Sequence, residues 1–126
     1  IIRTPYKEPK DTPRQPRYGE GALGTIEIYP EFQGGLLNIE HFSHLVLIFH
    51  LHLIEGYSLQ GTPYGRKERR GIFAFRSPAR PNPIGLSVVR LIKVEGNLVH
   101  IQDLDMVDGT PLLDIKPHLP RLDGHP

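Results

Sequence analysis

Cysteine and tryptophan are absent from this chain of 126 residues, and so are long apolar runs. Without thiols there can be no disulfide and no zinc site built on thiolates, which suits a reducing compartment, and we expect a cytoplasmic location. No stretch of about eighteen apolar residues occurs, so we predict neither a transmembrane helix nor a membrane partner. A net charge of only +1 gives no global sign of nucleic-acid binding. Any basic surface must therefore be local.

Proline and glycine are abundant instead, with 13 residues of each type. Leucine, isoleucine and valine are also plentiful, so the composition indicates short strands joined by tight turns rather than disorder. The length suits one domain, and no dinucleotide-binding glycine motif follows a strand. We predict a single mainly β domain over residues 1–126, a β-barrel or coiled antiparallel sheets with one or two short helical turns, and not a Rossmann fold. Residues 3–17 are expected to form a proline- and arginine-rich arm, and residues 56–71 a basic loop.

The strongest strand pattern is HLVLIFHLHLIE, which predicts one strand from His44 to Glu55. Its odd positions from 45 to 53 are all leucine or phenylalanine and predict a buried face. His44, His50 and His52 occupy even positions and share the opposite face if the strand is regular. Such histidines could bind a metal or could simply pack and form hydrogen bonds. We favour the second interpretation, because no carboxylate lies among them.

Shorter patterns predict the remaining elements. Residues 24–29 and 71–76 resemble strands, and the apolar spacing in residues 34–42 predicts a turn or two of helix. The sequence Glu95-Gly96-Asn97 predicts a hairpin between two strands. A turn at Asp108-Gly109 and a short strand near residues 112–115 complete the expected sheet.

A proline-rich loop, FAFRSPARPNPIGL, occupies residues 73–86 and carries the most unusual composition. Three prolines, Pro78, Pro81 and Pro83, fix its backbone in advance. Arg76 enters this loop from an apolar segment, and a guanidinium held in one place suits a carboxylate, a phosphate or an adenine ring. The alternative is an ion pair with one of the aspartates nearer the C-terminus.

Those aspartates and a basic cluster are the other candidates for chemistry. For Asp103 we favour acceptance of local backbone hydrogen bonds, whereas for Asp105 and Asp108 that role and ligand binding stay open. The cluster is either a solvated loop surface or a phosphate-binding surface. It consists of Arg66, Lys67, Arg69 and Arg70.

Four segments, taken in chain order, resemble a family of S-adenosylmethionine-dependent tRNA N6-methyltransferases. They are TPRQPR, IEHFSHLVLIFHLH, GIFAFRSPARPNPIGLSVVRL and DLDMVDGTPLLDIKPHLP. The resemblance covers nearly the whole chain. It implies a β-barrel unlike the Rossmann-type methyltransferases, a homodimer without a metal, and methyl transfer from S-adenosylmethionine to N6 of threonylcarbamoyl-adenosine beside the anticodon of tRNA.

The resemblance also implies the site residues, position by position. Cofactor contacts are expected from the arm (Pro13, Arg14, Gln15), the histidine strand (His52, Leu53), the proline loop and its following strand (Arg76, Leu86), and an opposite wall (Asp105, Met106, Val107, Asp108, Gly109, Thr110). Asp105, Asp108 and His52 are the candidates to orient or deprotonate the target amine. RNA contacts are expected from Arg3, Lys7, Arg14, Arg17, Arg66, Lys67, Arg69, Arg70 and Arg80, with a brace of the proline loop as the other interpretation of Arg80. The family often has threonine where Phe75 stands.

Two alternatives to this function stay open. One is a module that binds S-adenosylmethionine without catalysis. The other is a metal-dependent β-barrel enzyme that uses His44, His50 and His52.

Overall fold

A computed structural model describes residues 1–12 and 21–124, and within them the chain is mainly β, as predicted. The strands are β1 (Ile2–Arg3), β2 (Leu23–Glu27), β3 (His44–His50), β4 (Gln60–Gly61), β5 (Arg70–Gly71), β6 (Ile84–Glu95), β7 (Leu98–Gln102) and β8 (Leu112–Pro117). A short helix, α1, spans Pro120–Asp123, and 3-10 turns span Pro9–Asp11, Pro30–Leu36, Ile39–His41 and Ile72–Ala74. None of the helices in these ranges is long and apolar enough to cross a membrane.

Six strands form one antiparallel sheet in the order β1-β2-β7-β6-β3-β8, and β4 pairs with β5 separately. Ile2 of β1 pairs with Ile26 of β2 on one side. On its other side the Ile2 N–H donates to the Thr110 carbonyl at 2.9 Å, and the Gly109 N–H donates to the Ile2 carbonyl at 2.9 Å. Because Thr110 lies just before β8, the sheet curls until its first strand meets the segment that leads into its last.

The core lies on the inner face of this curled sheet. Leu45, Leu47 and Phe49 of β3 are buried, as the alternating pattern predicted. The hairpin at Gly96-Asn97 is confirmed, since Glu95 pairs with Leu98 and Gly96 has φ 60°. The apolar residues contributed by the other elements are Ile2, Ile26, Leu36, Val89, Val99, Ile101, Leu104 and Met106.

The predicted strand from His44 to Glu55 is wrong beyond His50, where β3 ends. Two proline segments flank the end of β3. The Pro111 carbonyl accepts a hydrogen bond from the His50 N–H, and the Pro83 carbonyl accepts one from the Leu51 N–H. Proline has no N–H, so neither segment can extend the ladder. The chain instead turns, and the His52 N–H bonds the His50 carbonyl at 2.9 Å. His52 therefore does not share a strand face with the other two histidines.

The predicted strand at residues 71–76 is also wrong, because only Arg70–Gly71 pair and a 3-10 turn follows. The Ile72 N–H donates to the Leu59 carbonyl at 2.8 Å, and the Ile72 side chain is buried. Because the Ile72 side chain points into the protein, the pairing of β5 with β4 ends at Gly71. Helical turns expected in residues 34–42 are present as 3-10 turns.

Gly24 of β2 gives a direct test of this packing. A Cβ atom at Gly24 would overlap the Leu104 side chain and the Arg3 carbonyl oxygen, and the latter belongs to the backbone of β1. We expect Gly24→Ala to lower the free energy of unfolding by about 2 kcal/mol in a denaturant titration. Gly34→Ala is the control, because no atom of the described residues outside its own turn lies within 4 Å of the added carbon. Equal stabilities for the two variants would contradict the close approach of β1 to β2.

Candidate active site

The end of β3, the proline loop and residues 105–111 meet at one end of the sheet. The N–H of His50, the last residue of β3, donates to the Pro111 carbonyl at 3.0 Å, and the N–H of Leu51 donates to the Pro83 carbonyl at 2.8 Å. The Ser87 hydroxyl of β6 donates to Asp105 Oδ1 at 2.5 Å. Three of the four segments in which the sequence predicted cofactor contacts are therefore neighbours. We call this region the β3 end.

Asp105 is the carboxylate at the β3 end whose pKa differs most from its ordinary value. Burial raises the pKa of Asp105 to about 6, although the hydrogen bond from Ser87 acts in the opposite direction. Only Oδ1 is engaged by another side chain within the described residues. A carboxylate fixed through one oxygen can accept a hydrogen bond from a ligand with the other.

Ser87 is a site residue that pattern reasoning missed. It is 3% exposed and lies on the inward phase of β6, where Val89 is also buried. A lone serine among apolar inward positions was the available signal, since a buried hydroxyl needs a hydrogen-bond partner. Its partner is 18 residues away in sequence, so the pattern alone could not name it.

Asp108 is engaged differently from Asp105, because both of its oxygens bond the N-terminal segment. Oδ1 accepts from the Thr4 backbone N–H at 3.0 Å, and Oδ2 accepts from Lys7 Nζ at 3.2 Å. The Thr4 hydrogen bond above all, with help from Lys7 and Arg3, holds the pKa of Asp108 below its usual value. Asp108 thus anchors the first residues of the chain, which leaves Asp105 as the better placed carboxylate for chemistry.

Replacing Asp108 tests this anchoring role. The Thr4 residue is 6% exposed, so Asp108→Ala leaves a buried N–H without its acceptor and should cost about 1–2 kcal/mol of unfolding free energy at pH 7. A lowered folded-state pKa stabilises the protein above the unfolded pKa, so the difference from wild type should shrink as the pH falls below about 4. Asp114→Ala is the control, since Asp114 pairs with Lys116 at the surface. A loss as large in that control would contradict the assignment.

The other residues of the predicted wall are either buried or already form hydrogen bonds within the protein. Met106 and Thr110 are 3% and 2% exposed, and the Thr110 hydroxyl donates to the Val107 carbonyl at 2.6 Å. Gly109 has φ 84° and donates its N–H to Ile2. Direct contacts from this wall would therefore come from Asp105 and from the backbone of residues 106 and 107.

Polar and apolar groups suited to a ligand remain at the β3 end. His52 Nδ1 is buried and has no hydrogen-bond partner among the described residues. Leu53 and Leu86 are 51% and 57% exposed. Arg76 is exposed at the start of the proline loop, and within the described ranges it forms none of the aspartate ion pairs that were the alternative.

Arg80 braces the proline loop, which was one of its two predicted roles. Its Nη1 donates to the carbonyls of Phe75 at 2.7 Å and Ser77 at 3.4 Å. The Phe75 ring lies against Gly61 of β4, about 3.1 Å from where a Cβ atom of residue 61 would be. The loop is thereby joined to the two-stranded sheet.

The four residues of the basic cluster differ in whether another side chain neutralises their charge. Arg70 donates twice to Glu68 Oε1, at 2.9 and 2.7 Å, so its charge is largely neutralised. Arg69 donates to the uncharged Gln60 side chain at 3.2 Å. Arg66 and Lys67 are exposed, and no ion pair holds either of them within residues 1–12 and 21–124. Arg3 and Lys7, also predicted to contact RNA, pair with Asp108.

The metal-site interpretation receives no support from the histidine positions. His44 and His50 are six strand residues apart, about 20 Å, and His52 lies past the end of the strand. No cluster of three or more potential metal ligands occurs in the described part of the chain. The predicted contacts Pro13, Arg14, Gln15 and Arg17 lie outside the described residues.

Comparison with known proteins agrees with the resemblance. Residues 1–124 match the model of the tRNA-methyltransferase O N-terminal domain. A probable S-adenosyl-L-methionine-binding protein of Pyrococcus abyssi is 53% identical over 98% of this chain and 67% of its own length. The tRNA (adenine(37)-N6)-methyltransferase of Escherichia coli is 38% identical over 100% of this chain and 58% of its own.

Solved structures agree as well. The crystal structure of TrmO from Pseudomonas aeruginosa is 39% identical and superposes with a TM-score of 0.82, over 98% of this chain and 55% of that one. This chain thus spans little more than half the length of these two bacterial proteins. It belongs to the family of tRNA-methyltransferase O N-terminal domains.

Proposed function

We propose that this chain transfers a methyl group from S-adenosylmethionine to N6 of threonylcarbamoyl-adenosine beside the anticodon of tRNA, acting in the cytoplasm as a homodimer. Family membership supports the reaction class. The observation that carries the proposal to particular residues is the Ser87–Asp105 pair, in which a half-buried carboxylate is held through one oxygen.

The groups at the β3 end fit the cofactor chemically. S-adenosylmethionine presents an amine, a carboxylate, two ribose hydroxyls and an adenine, and it supplies an electrophilic methyl group. His52 Nδ1 is a buried polar atom that needs a partner, and Arg76 has a guanidinium suited to a carboxylate or an adenine ring. Leu53 and Leu86 offer apolar surface for the flat ring. Together they offer the cofactor a polar atom, a cation and apolar surface.

Asp105 is the residue that we assign to the target amine. The exocyclic amine of adenosine is weakly nucleophilic, because its lone pair is delocalised into the ring. An acceptor that takes a hydrogen bond from this amine increases its nucleophilicity and fixes its direction towards the methyl group. Asp105 Oδ2 can do this while Oδ1 remains bound to Ser87. His52 is the second candidate for the same task.

Tests of the reaction begin with labelled cofactor and total tRNA, followed by nucleoside analysis. We expect the label in N6-methylated threonylcarbamoyl-adenosine. Total tRNA from cells unable to form threonylcarbamoyl-adenosine is the control and should remain unlabelled. Label in a different nucleoside, or in none, would contradict the proposed substrate.

A second candidate function is binding of S-adenosylmethionine without catalysis. It is favoured by the Pyrococcus abyssi relative, whose name refers to binding alone. Titration calorimetry separates the two candidates. Cofactor binding without methylation of any threonylcarbamoylated tRNA would favour the binding module.

A further inference from the structure

Phe73 is an aromatic side chain that is exposed to solvent. It is 80% exposed, although it is flanked by an anchored backbone. Its neighbour Ile72 is 3% exposed and donates its N–H to the Leu59 carbonyl at 2.8 Å. The 3-10 turn Ile72–Ala74 therefore directs Phe73 outward from a fixed position. A single exposed ring is common on protein surfaces and does not by itself indicate a ligand, so the groups next to Phe73 decide its role.

Arg80 backs this ring with a positive charge. Its guanidinium carbon lies over the Phe73 ring, 5.9 Å from the centroid. The same guanidinium is held by its hydrogen bonds to the Phe75 and Ser77 carbonyls, so it does not have to be ordered by a ligand. With four-fifths of Phe73 exposed, the ring remains open on its outer side. An arginine and an aromatic ring thus form one preorganised surface.

We propose that Phe73, backed by Arg80, is a stacking surface for an unpaired base of the substrate RNA, which rests on the proposed function. Proteins recognise single-stranded RNA by stacking splayed bases on aromatic rings and guanidinium planes. Stacking on one ring leaves the base free to be read by other groups. Such a surface would hold a nucleotide of the anticodon loop next to the proline loop.

The charges nearby favour RNA over a second copy of this chain. Arg66, Lys67 and Arg69 are exposed in the adjoining loop, and Arg76 lies three residues beyond Phe73. Such cations complement the phosphates that accompany an unpaired base. A two-fold contact through the same surface would bring these like charges together. The complementary partner is therefore a polyanion that also has flat apolar groups.

The test uses anticodon stem-loop RNA with 2-aminopurine at single loop positions. We expect wild-type protein to quench the fluorophore at one loop position at least. Phe73→Ala should abolish that quenching and weaken RNA binding by roughly 5- to 100-fold, the range given by one stacked base. Phe73→Trp should retain both. Phe32→Ala is the matched control, since Phe32 is 64% exposed in a different 3-10 turn.

Three results would overturn the proposal, and none depends on methyl transfer. The first is unchanged RNA affinity and quenching in Phe73→Ala. The second is a fall in S-adenosylmethionine affinity as large as the fall in RNA affinity, which would assign the ring to the cofactor's adenine. The third is a shift from dimer to monomer in sedimentation, which would assign it to a contact between copies.

Discussion

Replacing Asp105 with asparagine should lower the rate of methyl transfer at saturating substrates by about 100-fold or more. Asparagine keeps the shape of the side chain, but it cannot carry the charge that attracts the hydrogens of the target amine. The protein should remain folded. Burial of the carboxylate raises its pKa to about 6, so its ionised form at pH 7 opposes folding, and an uncharged side chain removes that opposition. The unfolding free energy of the variant at pH 7 should therefore not fall.

The pH profile gives the signature that a structural role would not produce. If ionised Asp105 accepts from the amine, the wild-type rate should rise with pH and level off above about 7, with a midpoint near the pKa of about 6. Ser87→Ala removes a hydrogen bond that lowers the pKa of Asp105, so its midpoint should move to higher pH. Asp114→Asn is the control and should keep the wild-type profile, because Asp114 lies at the surface. A flat wild-type profile, or an undiminished rate in Asp105→Asn, would refute the assignment.

Removing the Arg76 guanidinium should weaken S-adenosylmethionine binding by about 10- to 100-fold, the usual cost of losing a hydrogen bond to a charged group. Arg76 is exposed and forms no ion pair within residues 1–12 and 21–124, so Arg76→Ala should leave thermal stability unchanged. Arg76→Lys should recover only part of the affinity, because an ammonium lacks the planar fork. Titration calorimetry measures all of these variants.

Arg90→Ala provides the matched control for Arg76. Arg90 is an exposed arginine on β6, close in sequence to the proline loop but outside every predicted contact. Its loss should not alter cofactor affinity. If Arg90→Ala and Arg76→Ala weaken binding equally, the effect is one of overall charge. If Arg76→Ala binds as tightly as wild type, Arg76 has no part in holding the cofactor.

The alternation of apolar residues predicted the β class and the inward face of β3, because local periodicity follows directly from strand geometry. It could not predict where β3 ends, since that is decided by Pro83 and Pro111 on neighbouring segments. Sequence patterns also could not predict contacts between distant residues. The Ser87–Asp105 hydrogen bond and the Thr4–Asp108 hydrogen bond are two such contacts, and the second spans 104 residues of sequence. The resemblance supplied the segments of the candidate site, whereas the structure shows that their two central aspartates accept different hydrogen bonds.

The contact of Ile2 with Thr110 has a consequence for how this protein is assembled. During synthesis Ile2 leaves the ribosome long before Thr110 is made. Strand β1 can therefore pair with β2 first, and its contact with Thr110 forms later. Contacts between such distant residues close slowly, because a long loop must first be ordered. The wall that carries Asp105 and Asp108 is therefore completed only after Thr110 has been made and has met Ile2. A chain synthesised only as far as β7 would thus have the proline loop without the opposite wall.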